Sequence, residues 1–87
     1  MMQKRICFED AALSQIQGWM HDNVKIADKI FTLLEDIKRN GAAKGIGKPE
    51  RLKYRDGWSR RITDEHRLIY KVDEKNIYVI SCKGHYE

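Results

Sequence analysis

Trp58-Ser59-Arg60-Arg61-Ile62-Thr63-Asp64-Glu65-His66-Arg67-Leu68-Ile69-Tyr70-Lys71-Val72 reads as a β-hairpin. Two runs rich in β-branched and aromatic residues, Trp58 to Thr63 and His66 to Val72, meet at an Asp64-Glu65 turn. In the second run His66, Leu68, Tyr70 and Val72 alternate with Arg67, Ile69 and Lys71. One face is thus apolar enough to take helices, and the other carries charge. Downstream, Asp73-Glu74-Lys75-Asn76 signals a second turn and Ile77 to Cys82 a further strand, extending the hairpin into an antiparallel meander.

Upstream the period changes. Lys4 to Phe8 is a short β-prone segment followed by Glu9 and Asp10, which can cap a helix. The first helix is predicted from Asp10 to Met20, with Leu13, Ile16 and Met20 on its buried face. Asp22 or Asn23 can cap a second helix carrying Ile26, Ile30, Leu33, Leu34 and Ile37 at helical spacing. Lys38 and Arg39 suit its C-terminal dipole, and Asn40-Gly41 ends it. Gly41 to Pro49, with three glycines and the only proline, is a loop between the two halves. The expectation is one α+β domain over residues 1–87: an N-terminal strand and two helices packed on an antiparallel or mixed sheet, in the order β-α-α-β-β-β.

Composition narrows the partners. The 87 residues suit a single modest core, since a chain this short buries only about 60% of its unfolded surface. Seventeen Lys and Arg against thirteen Asp and Glu leave a charge of +4. The surplus gathers between Lys44 and Arg67, where eight positive side chains face four negative ones, which points to a polyanion. Nothing approaches the roughly 18 apolar residues of a membrane span, and no signal core opens the chain, so the expected location is the cytoplasm. Cys7 and Cys82 form no Cys-x-x-Cys pair and are expected to be reduced core thiols, with no zinc or other metal and no cofactor.

Three groups of residues could carry chemistry. The Gly41 to Lys48 loop is no P-loop, because Gly47-Lys48 precedes Pro49 where Ser or Thr is needed. Just beyond it Glu50 sits among Lys48, Arg51 and Lys53, where a carboxylate stays ionised and can accept a proton. Arg60, Arg61 and Arg67 lie on adjacent strands; if Arg61 pairs with Arg67, both point to one face and suit a phosphate. His85-Tyr86 closes the chain with a side chain fit for proton transfer near neutral pH. Taken singly, each has a plainer reading: a surface ion pair for Glu50, a solvated face offset by Asp64 and Glu65 for the arginines, and a frayed tail for His85. His21, at a helix end, and His66, on the apolar strand face, read as structural.

Together, Lys48-Pro49-Glu50-x-Leu52-Lys53, Trp58 through Tyr70, and Cys82-x-x-His85-Tyr86 resemble the YoeB (Txe) branch of the RelE toxin superfamily. The resemblance covers almost the whole chain and implies a RelE-like fold and ribosome-dependent endoribonuclease activity on mRNA. It also implies control by a YefM/Axe-like antitoxin, as a homodimer or a toxin–antitoxin hetero-oligomer. By position it assigns Glu50 as general base, Arg67 as the phosphate-stabilising arginine and His85 as general acid. Arg61 and Tyr86 become supporting residues, and Lys48, Lys53 and Arg60 become RNA contacts. The competing reading is a non-catalytic RNA- or antitoxin-binding module of the same fold. The chain departs from the family pattern in a shorter segment between Lys53 and Trp58, in Arg51 after the glutamate, and in Gly84, where a bulky residue often precedes the histidine. Glycine at that point adds backbone freedom beside the proposed acid.

Overall fold

The computed structural model describes residues 4–85. The order of elements is β1 (Arg5–Phe8), α1 (Asp10–Asp22), α2 (Val24–Asn40), β2 (Glu50–Arg51), β3 (Trp58–Arg61), β4 (Arg67–Val72) and β5 (Asn76–Ser81). The five strands form one mixed sheet in the order β1-β5-β4-β3-β2, and the two helices cover one face of it. The expected meander is present: β3 and β4 pair antiparallel, as do β4 and β5, while β1 adds to β5 in parallel. The α+β class holds. The two-residue β2, paired Glu50 to Ser59 and Arg51 to Trp58, adds one strand to the expected order. Two residues are too short a run for alternation to register.

The helix-facing side of the sheet supplies Leu68, Tyr70, Ile77 and Val79 to a core completed by Ile30, Leu33, Leu34 and Ile37 of α2. Burial of each such aliphatic side chain contributes roughly 1.5–3 kcal/mol. Asn23 is the cap of α2, accepting from the Ile26 N–H at 3.4 Å, and Gly41 ends the helix at φ 89°. That positive φ is one glycine tolerates and other residues resist.

Helix α1 corrects the sequence reading. It runs to Asp22, two residues past the expected end, and Glu9 stands at its cap position with no side-chain capping bond. Leu13 and Met20, expected in the core, are 54% and 58% exposed, whereas Ala12 and Ile16 are buried and Trp19 packs beside them. The rotation follows from polar anchors that hydropathy does not register. Gln15 Oε1 accepts from the Cys82 N–H at 2.7 Å, and the Trp19 indole N–H donates to the Cys82 carbonyl at 3.0 Å. Residues 12, 15, 16 and 19 make one helical stripe, and the small Ala12 lets the helix close on the end of β5.

Cys7 and Cys82 are free thiols, the second fully buried. Burial pushes the Cys82 thiol up to about 11, so almost none of it is thiolate in mildly alkaline buffer. Iodoacetamide is therefore expected to spare Cys82 in the native protein and to alkylate it after unfolding in urea, as read by peptide mass spectrometry. Labelling of native Cys82 at the unfolded rate would contradict this packing.

Candidate active site

The sheet face away from the helices is the one that carries charge. Directly opposed residues in an antiparallel pair project to the same side. The register Glu50–Ser59–Ile69 across β2, β3 and β4, with Arg61 opposite Arg67 two residues along the hairpin, therefore sets Glu50, Arg61 and Arg67 on one surface. The expected pairing of the two arginines is what the register contains. Ser59 and Ile69 are buried between them as the floor, and an Arg67 guanidinium nitrogen lies 3.5 Å from Ser59 Oγ.

Over this floor opens a cleft of about 270 Å³, lined by Glu50, Lys53, Arg67 and His85 together with Leu52 and Tyr54. Carboxylate, guanidinium and imidazole from three separate parts of the chain thus share one solvent-open concavity. The imidazole arrives from the C-terminal tail, its Nε2 lying 3.2 Å from the Asp64 carbonyl in the turn between β3 and β4. Arg61 stands on the same face outside the cleft lining, exposed and 3.9 Å from the Asp64 carboxylate. Lys48 is also exposed and outside the lining; its φ of 52° makes it the one non-glycine residue with positive φ among those described. Tyr86 lies outside the described residues.

Arg60 corrects the reading of it as an RNA contact. It is fully buried on the helix-facing side, where its cross-strand partner is Leu68. Its guanidinium donates to Asp36 Oδ2 at 2.5 Å, to the carbonyls of Ile46, Gly41 and Lys44 at 3.0, 2.8 and 2.6 Å, and to the Tyr70 hydroxyl at 2.9 Å. No donor is left for RNA. Alternation along β3 puts Arg60 opposite in orientation to Arg61, and the loop wraps its carbonyls around it. Burial alone raises the Asp36 pKa. Hydrogen bonds from Arg60 and the Ile46 N–H, with the Arg60 charge, outweigh that and hold the carboxyl below its ordinary 3.8.

This arrangement explains the glycine-rich segment before Glu50. A Cβ on Gly45, at φ 121°, would stand 1.8 Å from Asp36 Oδ2, so only glycine lets the loop approach the buried ion pair. The Tyr70 hydroxyl donates to the Ala42 carbonyl at 2.6 Å, and the Arg61 N–H to the Gly47 carbonyl at 2.7 Å. The loop is thus fixed along its length up to the residue before Lys48, and delivers Pro49 and Glu50 to the sheet edge.

Sequence reasoning missed Ser59 and Ile69 as the floor and Tyr54 at the rim. Ser59 and Ile69 could have been placed by pairing Glu50 with the hairpin, but Tyr54 has no periodic signal. Among the described residues no three His, Cys, Asp or Glu side chains group as metal ligands, and no helix is long and apolar enough to cross a membrane.

Comparison with known proteins gives the family and the fold. The family described as YoeB-like toxin of bacterial type II toxin-antitoxin system matches residues 8–86. Toxin YoeB of Escherichia coli is 41% identical over 70 residues, 78% of this chain and 82% of its own. The structure of the YoeB dimer from Staphylococcus aureus has a TM-score of 0.92 at 44% identity, covering 98% of this chain and 100% of that one. The YoeB-YefM complex from Staphylococcus aureus has a TM-score of 0.89 at 45% identity with the same coverage.

Proposed function

The chain belongs to the YoeB-like toxins of bacterial type II toxin-antitoxin systems, and we propose that it is a metal-independent endoribonuclease that cleaves mRNA on the ribosome. The observation that carries the reading is the meeting of Glu50, Arg67 and His85 around one open cleft. RNA brings its own nucleophile, the 2′-hydroxyl. Cleavage then needs a base for that proton, a cation for the charge gathering on the phosphate, and an acid for the leaving 5′-oxygen.

Glu50 fills the first role, its carboxylate facing solvent at the sheet edge. Arg67 fills the second; its planar fork matches two phosphate oxygens and its charge does not titrate away. His85 fills the third, imidazole being the side chain whose proton is exchanged most readily near neutral pH. Arg61 adds positive potential beside Arg67, Lys48 and Lys53 hold the RNA backbone, and Tyr86 supports the site. The products are a 5′-hydroxyl and a 2′,3′-cyclic phosphate or 3′-phosphate. DNA, lacking the attacking group, is resistant.

A YefM-like antitoxin is the proposed inhibitor, its acidic and apolar segment folding over the basic face around Lys48, Arg61 and Arg67. Toxin copies or toxin and antitoxin together form the proposed cytoplasmic oligomer, in line with the Staphylococcus aureus dimer and complex.

Inducing the chain alone in a bacterial host is expected to halt translation, with new 5′-hydroxyl ends appearing in ribosome-bound message, and co-expressed antitoxin should restore growth. Intact message and normal protein synthesis, after accumulation of the folded wild-type chain is confirmed, would overturn the proposal.

A further inference from the structure

His85 follows Gly84, which has a φ of 77° and no neighbour within 4 Å of where a Cβ would stand, so side-chain packing does not hold the backbone at that point. A general acid on such a tether would be poorly aimed, yet here the tether is tied down. The Gly84 N–H donates to His66 Nδ1 at 2.8 Å, and the Gly84 carbonyl accepts from the Arg67 N–H at 3.1 Å. The His66 ring is in turn wedged edge-on against Trp19 of α1, with centroids 4.8 Å apart and planes at 70°. Trp19 reaches the same tail two residues earlier, through its indole N–H to the Cys82 carbonyl, and the Lys83 ammonium lies 5.5 Å over its ring.

The backbone of His66 is itself fixed by the hairpin turn. Its N–H donates to Thr63 Oγ1 at 3.1 Å, and its carbonyl accepts from the Ile62 N–H at 3.0 Å. That same turn offers the Asp64 carbonyl to His85. The turn therefore touches the tail at two successive residues, Gly84 and His85, and Arg67, which follows His66 in sequence, donates its own N–H to the carbonyl of the first of them.

We infer that His66 is a positioning residue for His85: by accepting the Gly84 N–H at Nδ1 it converts a free glycine hinge into a fixed one and holds the imidazole of His85 over the cleft. The inference rests on the reading of His85 as the acid. Accepting at Nδ1 requires the His66 ring to keep its proton on Nε2, so its part is that of an acceptor and not of a proton donor. Asparagine, whose Oδ1 branches from the chain at the same point as Nδ1, can reproduce that acceptor. Alanine cannot.

The test combines single-turnover cleavage of ribosome-bound message under saturating toxin, a binding assay, and hydrogen exchange of the Gly84 amide. His66→Ala is expected to slow cleavage about 10- to 100-fold with binding little changed, the order of loss that small misplacement of a reacting group produces. It should also release the Gly84 amide to fast exchange. His66→Asn should recover most of both, which separates loss of the acceptor from general damage to the fold. In a His85→Ala background, His66→Ala should cost nothing further in rate, because a residue acting through His85 has nothing left to position.

Wild-type protection of the Gly84 amide in His66→Ala overturns the clamp. So does a rate loss that multiplies with that of His85→Ala, or failure of His66→Asn to recover. If His85→Ala alone cleaves at the wild-type rate, the acid assignment falls instead, and the exchange measurement still decides whether His66 holds the tail.

Discussion

Replacing Arg60 with alanine is expected to cost about 3–5 kcal/mol of folding stability, the range found when one member of a buried ion pair is removed and the other is left without its partner. For a small domain with a total of only about 5–15 kcal/mol, that is a large share. The substitution strands the Asp36 carboxylate, the Tyr70 hydroxyl loses a donor, and three loop carbonyls lose theirs. Arg60→Lys should recover little, because a point charge cannot bond in five directions from one buried plane. Urea unfolding of the variants measures the loss; a change below about 1 kcal/mol would show that the loop holds itself and that Arg60 only fills space.

The same pair sets an acid limit. The Asp36 pKa is lowered in the folded chain, so its contribution is complete above the ordinary carboxylate value of 3.8 and is lost as pH falls through the lower folded value. In Arg60→Ala the main cause of the lowering is gone, and this part of the acid dependence should shrink. Comparing unfolding midpoints of the two proteins through mildly and strongly acidic buffers checks the sign.

The second large effect falls on turnover. Glu50→Ala and His85→Ala are each expected to slow single-turnover cleavage about 10²–10⁴-fold, the usual worth of a positioned proton-transfer group. Arg67→Ala should cost about 10²–10³-fold, as loss of one donor to a developing negative charge does. Binding separates these from the lysines. Glu50→Ala removes a negative charge and should bind RNA as well as or slightly better than wild type, whereas Lys48→Ala and Lys53→Ala should weaken binding and flatten its salt dependence more than they slow chemistry. Wild-type cleavage by His85→Ala with saturating toxin would remove His85 from the reaction.

Much of this arrangement was legible in the residues. The hairpin alternation predicted both the meander and the shared face of Arg61 and Arg67, because side-chain direction in a strand has a period of two and needs only correct pairing. Arg60 was misread, although the same alternation places it opposite its neighbour Arg61. Charge argued for solvent, and what overrides charge is a set of loop carbonyls and one aspartate from α2, none of them close in sequence. The buried face of α1 failed for a related reason: Leu13 and Met20 outrank Ala12 and Gln15 in hydrophobicity, but the helix is aimed by hydrogen bonds to Cys82. His66 read as structural, and its packing on Trp19 agrees, but its bond to Gly84 depends on where the tail folds back. Gly84 looked like a source of slack for the same reason.

The parallel contact of β1 with β5 joins the first described strand to the last. Pairing of this kind has a high sequence separation and forms late, since the entropy of closing the whole chain must be met before the contact returns anything. During synthesis β1 and α1 emerge long before β5 exists to receive them, and the residues that tie α1 to the sheet, Ser81 and Cys82, come later still. His85 follows them. A nascent chain of this protein therefore has neither a finished sheet nor a complete cleft until the segment through His85 has been made and has folded back on the sheet.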